Sequence, residues 1–169
     1  MNNHVALLRA VNVGGTGKLP MADLRALCEA AGFKEVRTYI ASGNVVLRSA
    51  SSEAKVKTTL EAALARYAGK PVGVMVRSPA EMAAIVAANP FPHAPPNRIV
   101  VIFLDSAPPA DALSTITHRN GEDIVAGTRE LYVWYGEGMA DSKLKIPAAA
   151  KGTGRNMNTV AKLAAMAAE

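Results

Sequence analysis

Cysteine is almost missing from this chain: Cys28 stands alone among 169 residues. One thiol cannot close an intramolecular disulfide or build a cysteine-based zinc site, so a cross-linked secreted scaffold and a zinc finger are both excluded. Aromatic residues are also scarce, at 5% of the chain, which leaves few of the stacking platforms that single-strand nucleic-acid binders use. No apolar run approaches the roughly 20 residues that cross a bilayer. Arg9 interrupts the first apolar run too early for a signal peptide. The expectation is a cytoplasmic protein without membrane association. No spacing of His, Asp and Glu resembles a metal site, and neither metal nor cofactor is expected. With half its residues apolar and 20% charged, the chain has ordinary globular composition. Its length suits one domain or two small ones packed together.

Acid is missing from one long stretch. Residues 142–168 contain no Asp or Glu but carry Lys143, Lys145, Lys151, Arg155 and Lys162. The chain has 19 basic and 14 acidic residues, so without these five it would be balanced. Within the stretch, Lys-Gly-Thr-Gly-Arg-Asn at 151–156 directly precedes an apolar run that reads as a helix over 158–168. A helix N-terminus presents unpaired N–H groups and partial positive charge, so its first turn normally attracts an acid. Arg155 in that place predicts neutralisation by an external anion.

Elsewhere strands and helices alternate. Residues 5–11 form an apolar run that ends in a glycine-containing loop, hence a buried strand. Pro20 marks a helix start, with Met21, Leu24, Leu27, Cys28 and Ala31 on one face and Gly32 as the stop. Residues 36–40 and 44–48 flank Ser42-Gly43 as a hairpin. Val56, Leu60, Leu64 and Tyr67 stripe a second helix closed by Gly69, and 72–76 is a fourth strand. This β-α-β-β-α-β order is ferredoxin-like. A helix over 79–88 leads into a proline-dense connector, 89–96. A strand (98–104), a short helix (109–116), a hairpin (123–126 with 131–135) and the last helix then partly repeat the pattern. The expected fold is α+β: two related ferredoxin-like β-α-β-β units packed together, the second incomplete because it lacks an obvious final strand. The boundaries are 1–77, a connector over 78–97, and 98–169. One irregular α+β domain is the alternative.

The first and third elements of a right-handed β-α-β crossover are parallel, so their C-terminal ends share a sheet edge. That brings the acid-free loop 12–18 beside the turn Ser42-Gly43-Asn44. Gly14 and Gly15 let backbone N–H groups approach a ligand, while Arg9 and Lys18 supply charge. The same glycines serve equally a tight strand-to-helix turn. The loop is no Walker motif, because Asn12 stands where the first glycine belongs and Leu19 follows Lys18 instead of Ser or Thr. His4, His93 and His118 are scattered and read as surface or structural residues. Cys28 reads as a small core residue. Tyr132 and Trp134 alternate on the last hairpin, either stacking on bases or filling a core.

Several segments together resemble the DUF 1697 family, a bacterial domain of unknown function. They include Leu7 to Gly15 of the opening, Lys18-Leu19-Pro20-Met21, Gly32-Phe33 and the run from Thr38 to Val45. Near the end they include Ser142-Lys143-Leu144 and the run from Thr153 to Val160. Ala10 and Met157 depart from the family pattern, which commonly has Gly and Trp there. The resemblance implies an α+β fold with two related halves and brings no substrate. The residues themselves point to a site for a phosphate-bearing or other anionic ligand, a nucleotide or nucleic acid. Its expected members are Arg9, Asn12, Gly14, Gly15 and Lys18, then Ser42 and Asn44, then Lys143, Thr153, Arg155 and Asn156. An enzyme acting on a small anionic substrate and an interaction protein with no ligand are the competing readings.

Overall fold

The computed structural model describes residues 1–9, 19–40, 42–136 and 141–169. In chain order they form β1 (Asn2–Leu8), α1 (Met21–Ala30), β2 (Lys34–Thr38), β3 (Asn44–Ser49), α2 (Glu53–Ala68), β4 (Val74–Arg77) and α3 (Pro79–Ala87). These are followed by β5 (Ile99–Phe103), β6 (Asp123–Ala126), β7 (Glu130–Trp134), β8 (Thr153–Asn156) and α4 (Met157–Ala168). Two compact units result, Met1–Met82 with Leu163–Glu169, and Ala83–Lys162. Each contains an antiparallel sheet of four strands, ordered β2-β3-β1-β4 and β6-β7-β5-β8. The second order repeats the first, strand for strand, as two ferredoxin-like units should.

In the first unit local chemistry sets the helix ends. Pro20 precedes α1 as its N-cap and is not the first helical residue. At the other end Gly32, with φ +95°, donates its N–H to the Glu29 carbonyl, and Phe33 donates to the Cys28 carbonyl. That pair of bonds is the Schellman stop, which needs a left-handed residue. Ser52 caps α2 by accepting from the Lys55 N–H at 3.2 Å. Leu24 and Cys28 of α1, with Val56, Leu60 and Leu64 of α2, are buried in one cluster with Ala6, Leu8, Val45, Leu47 and Val76 of the sheet. Tyr67, expected on the apolar stripe of α2, is 44% exposed, and its hydroxyl donates to Asp23 at 2.6 Å.

Side chains bond at both outer strands of this sheet. On β4 the Val74 N–H donates to the Glu61 carboxylate at 3.2 Å, and the Lys57 ammonium donates to the Val74 carbonyl. On β2 the register shifts between Lys34 and Arg37. The Arg37 guanidinium donates to the Met166 carbonyl at 2.9 Å and pairs with the Glu169 carboxylate.

The second unit differs from the sequence expectation at two elements. The final strand is present: β8, residues Thr153–Asn156, pairs antiparallel with β5. Its sequence, Thr-Gly-Arg-Asn, hides it because glycine is a poor strand former. Tertiary packing overrides that preference. A Cβ on Gly152 would lie 2.8 Å from both the Phe103 carbonyl oxygen and Ile102 Cγ2, and one on Gly154 would lie 3.0 Å from Val100 Cγ1. The glycines thus let β8 lie against β5. The expected helix over 109–116 is not regular; this segment is a series of turns in which Ala112 and Ser114 donate to the carbonyls of Pro109 and Asp111. The Ser114 hydroxyl also donates to the Asp111 carbonyl at 2.9 Å, a local bond that competes with helix propagation. The incompleteness of the second half therefore lies in its helices rather than its strands.

Tyr132 and Trp134 both pack within the second unit. Tyr132 is 2% exposed and its hydroxyl donates to the Ile85 carbonyl at 2.8 Å. The Trp134 ring packs against Phe91 and meets His93 edge-on, with centroids 5.6 and 5.5 Å away.

Candidate functional site

Of the residues expected at a site, Asn12, Gly14, Gly15 and Lys18 lie outside the described residues. At the end of β1 the shared-edge geometry holds as far as it is described. Leu8 N–H donates to the Gly43 carbonyl at 2.9 Å, and Arg9 N–H donates to the Gly73 carbonyl at 2.8 Å. Arg9 is exposed there. Asn44 is fully buried and turns inward, its amide donating to the Tyr39 carbonyl at 2.8 Å and to Ser42 Oγ at 2.9 Å. These bonds close the turn and satisfy a buried amide that would otherwise be costly. Ile40 beside it has φ +48° and is 51% exposed, a strained conformation for a β-branched residue.

The C-terminal stretch is built differently from the sequence expectation. Arg155 directly precedes the Asn156 cap of α4, and no acid stands in the first turn of that helix. Arg155 lies within β8, 7% exposed, and its Nη1 donates to Thr153 Oγ1 at 2.7 Å and to the Gly154 carbonyl at 2.9 Å. Burial lowers its pKa to about 10. Asn156 caps α4 itself, its Oδ1 accepting the Thr159 N–H at 2.9 Å. A cap of this kind satisfies one of the four orphan donors at a helix start. Thr153, Arg155 and Asn156 thus all make hydrogen bonds within the fold. Lys143, Lys145, Lys151 and Lys162 are exposed, and none forms an ion pair among the described residues.

Lys143 lines the feature best suited to a ligand. A cleft of about 760 Å³ in the second unit is bounded by His118, Arg119, Asn120, Gly121, Glu122, Tyr135, Gly136, Asp141, Ser142 and Lys143. Ligand sites typically occupy about 300–1,000 Å³. The loop before β6 and the 141–145 segment form its walls. Thr117 and Lys145 exchange backbone hydrogen bonds of 3.0 and 2.9 Å. The Ser142 hydroxyl donates to Glu122 Oε2 at 2.6 Å. Glu122, 3% exposed, also accepts the Asn120 N–H on Oε1. The Ser142 bond, then the Asn120 bond, hold its carboxyl below the usual carboxylate range. Arg119 Nε donates to the Glu122 carbonyl at 2.6 Å. Burial, then the nearby Glu122 charge, raise the Tyr135 phenol. A second hollow of about 340 Å³, lined by Leu27, Ala31, Ala63, Arg66 and Tyr67, offers few polar groups.

Sequence reasoning found Lys143 and missed the rest of the cleft. Arg119, Glu122 and Asp123 mix both signs, so no charge signal marks the loop. Asn120-Gly121 is a turn dipeptide and was the available clue to a loop entering β6. Among the described residues no three His, Cys, Asp or Glu side chains gather as a metal site. No described helix is long and apolar enough to cross a membrane.

No curated protein matches the chain. The conserved bacterial protein SP0830 from Streptococcus pneumoniae has a similar fold, with a TM-score of 0.82 at 23% identity over 100% of this chain and 99% of that one. The family model described as a protein of unknown function, DUF1697, matches residues 1–132. That match ends before Ser142 and Lys143, so one wall of the cleft lies beyond it. With its matching sequence over most of its length and its two ferredoxin-like sheets, the chain belongs to the DUF1697 family.

Proposed function

We propose that this protein binds a small ligand bearing a phosphate or carboxylate group in the cleft of the second unit. The observation that carries this reading is the exposed Lys143 ammonium on a ligand-sized cleft, with no carboxylate paired to it among the described residues. Glu122 does not cancel that charge at the surface, because its carboxylate is buried and engaged by Ser142 and Asn120. Arg119 and His118 add donors on the same cleft. The reading is one of binding rather than catalysis. A carboxylate held below its usual range is a weak base, so Glu122 is poorly suited to activate Ser142. We place the protein in the cytoplasm, where phosphorylated and carboxylated metabolites are abundant and a lone buried thiol stays reduced.

The test is a thermal-shift screen of phosphorylated and carboxylated metabolites, followed by titration of each hit against wild type and Lys143→Ala. Removing one charge-assisted contact weakens binding about tenfold. A screen with no hits, or hits that ignore Lys143→Ala, defeats the cleft reading.

The exposed lysines at 143, 145, 151 and 162 favour one second reading, a single-stranded nucleic acid. Such a ligand gives a log–log salt slope of about −0.7 per phosphate contact, and charge reversal at Lys162 weakens it. A small ligand in the cleft gives a shallow slope and ignores Lys162.

A further inference from the structure

We propose that Glu122 and Ser142 are positioning residues, a clasp that fixes the 141–145 segment on the loop before β6 and thereby sets Lys143 at the cleft; this rests on the cleft reading above. Lys143 sits between two tethers. On one side the Ser142 hydroxyl donates to Glu122 Oε2 at 2.6 Å. On the other, Lys145 exchanges both backbone hydrogen bonds with Thr117. The tethers differ in kind. The Thr117–Lys145 pair is ordinary backbone pairing that any residues could make, whereas the Ser142–Glu122 bond needs those two side chains.

Glu122 joins both walls. One carboxylate oxygen takes Ser142, the other takes the Asn120 N–H within its own loop, and its backbone carbonyl takes Arg119 Nε. The Ser142 oxygen in turn accepts the Leu144 N–H at 3.3 Å, so the hydroxyl orients the backbone on the far side of Lys143. A bond from a hydroxyl to a buried carboxylate is among the stronger hydrogen bonds. Cutting it removes the only side-chain hydroxyl bonded to that carboxylate among the described residues. With both ends of the segment held, Lys143 reaches the cleft with less ordering to be done when a ligand arrives. Glu122 is therefore distinct from a ligand-contacting acid: its oxygens face the clasp, and its effect on binding passes through Lys143.

The experiment compares the full chain with Ser142→Ala and Ser142→Thr by amide hydrogen exchange and by titration with inorganic phosphate, read from the NMR shifts of cleft residues. In Ser142→Ala, exchange at the Thr117 and Lys145 amides accelerates about tenfold or more, and the phosphate Kd rises about tenfold. Ser142→Thr, which keeps the hydroxyl, restores both to within about twofold. If Ser142→Ala does not fold, Glu122→Gln serves instead. It keeps an acceptor for Asn120 and a neutral bond to Ser142, and gives intermediate values. Unchanged exchange in Ser142→Ala overturns the clasp whether or not phosphate binds. Faster exchange with unchanged phosphate affinity overturns the positioning role. Faster exchange in a protein whose wild type binds no phosphate overturns the role together with the cleft reading, and the exchange data distinguish that case from a failed clasp.

Discussion

Replacing Arg155 separates a strand residue from a ligand-binding one. The guanidinium makes two bonds within β8, to Thr153 Oγ1 at 2.7 Å and the Gly154 carbonyl at 2.9 Å. Hydrogen bonds from charged groups contribute about 1.5–3 kcal/mol each, so the pair is worth roughly 3–6 kcal/mol. Burying the charge opposes this. The lowering of its pKa to about 10 corresponds to about 3 kcal/mol. These two bonds roughly offset the burial, so Arg155→Met costs at least about 1 kcal/mol. Arg155→Ala also loses the packing of the buried stem and costs about 3 kcal/mol. Urea denaturation at neutral pH reads both, with an unchanged m-value as the check that only stability moved. The folded-state pKa is the lower one, so the burial penalty is fully present below pH 10. It fades as pH rises above about 10, because there the unfolded chain still holds a proton that the folded chain has released. Phosphate affinity stays within twofold of wild type in both variants. An Arg155→Ala variant as stable as wild type but unable to bind phosphate would refute this reasoning and return the guanidinium to the ligand.

Gly152→Ala forces a methyl group to within 2.8 Å of the Phe103 carbonyl oxygen and destabilises by about 2 kcal/mol or more; a smaller loss in urea would mean that β8 can shift away from β5. Burial, then the Glu29 charge, raise the Cys28 thiol to about 12, so labelling by a disulfide reagent at pH 8 proceeds only as fast as the protein opens. Labelling on the timescale of a free thiol contradicts that. His4 is 7% exposed, and both ring nitrogens lack a hydrogen-bond partner among the described residues. His4→Leu therefore stabilises by about 1 kcal/mol, and a lower melting temperature would show that the imidazole is engaged.

The first half was readable because each element carries its own punctuation. Gly32 and Gly69 stop their helices in left-handed conformations, and the apolar stripes of α1 and α2 face the sheet as periodicity requires. The last strand is hard to read in the C-terminal stretch because one composition serves two purposes. Glycines before a helix signal either an anion cradle or close backbone packing, and only the partner strand decides between them. Gly152 and Gly154 lie against residues some fifty positions earlier, Ile102 and Val100, a proximity no local pattern contains. The cleft was hidden for the same reason. Its tie between Glu122 and Ser142 spans 20 residues, and neither residue type is unusual in its own neighbourhood.

The occupation of β4 by Lys57 and Glu61 has a consequence for how this protein fails. A bare strand edge is a template: any extended chain that meets it can be copied onto the sheet. At Val74 both template groups are already taken, by side chains from α2 that also pair with each other at 3.2 Å. Substitutions at these two positions would therefore cost stability through the lost bonds to a buried residue, and would also lower the concentration at which the protein stays dispersed. A melting curve would show the first effect and only a crowded solution the second.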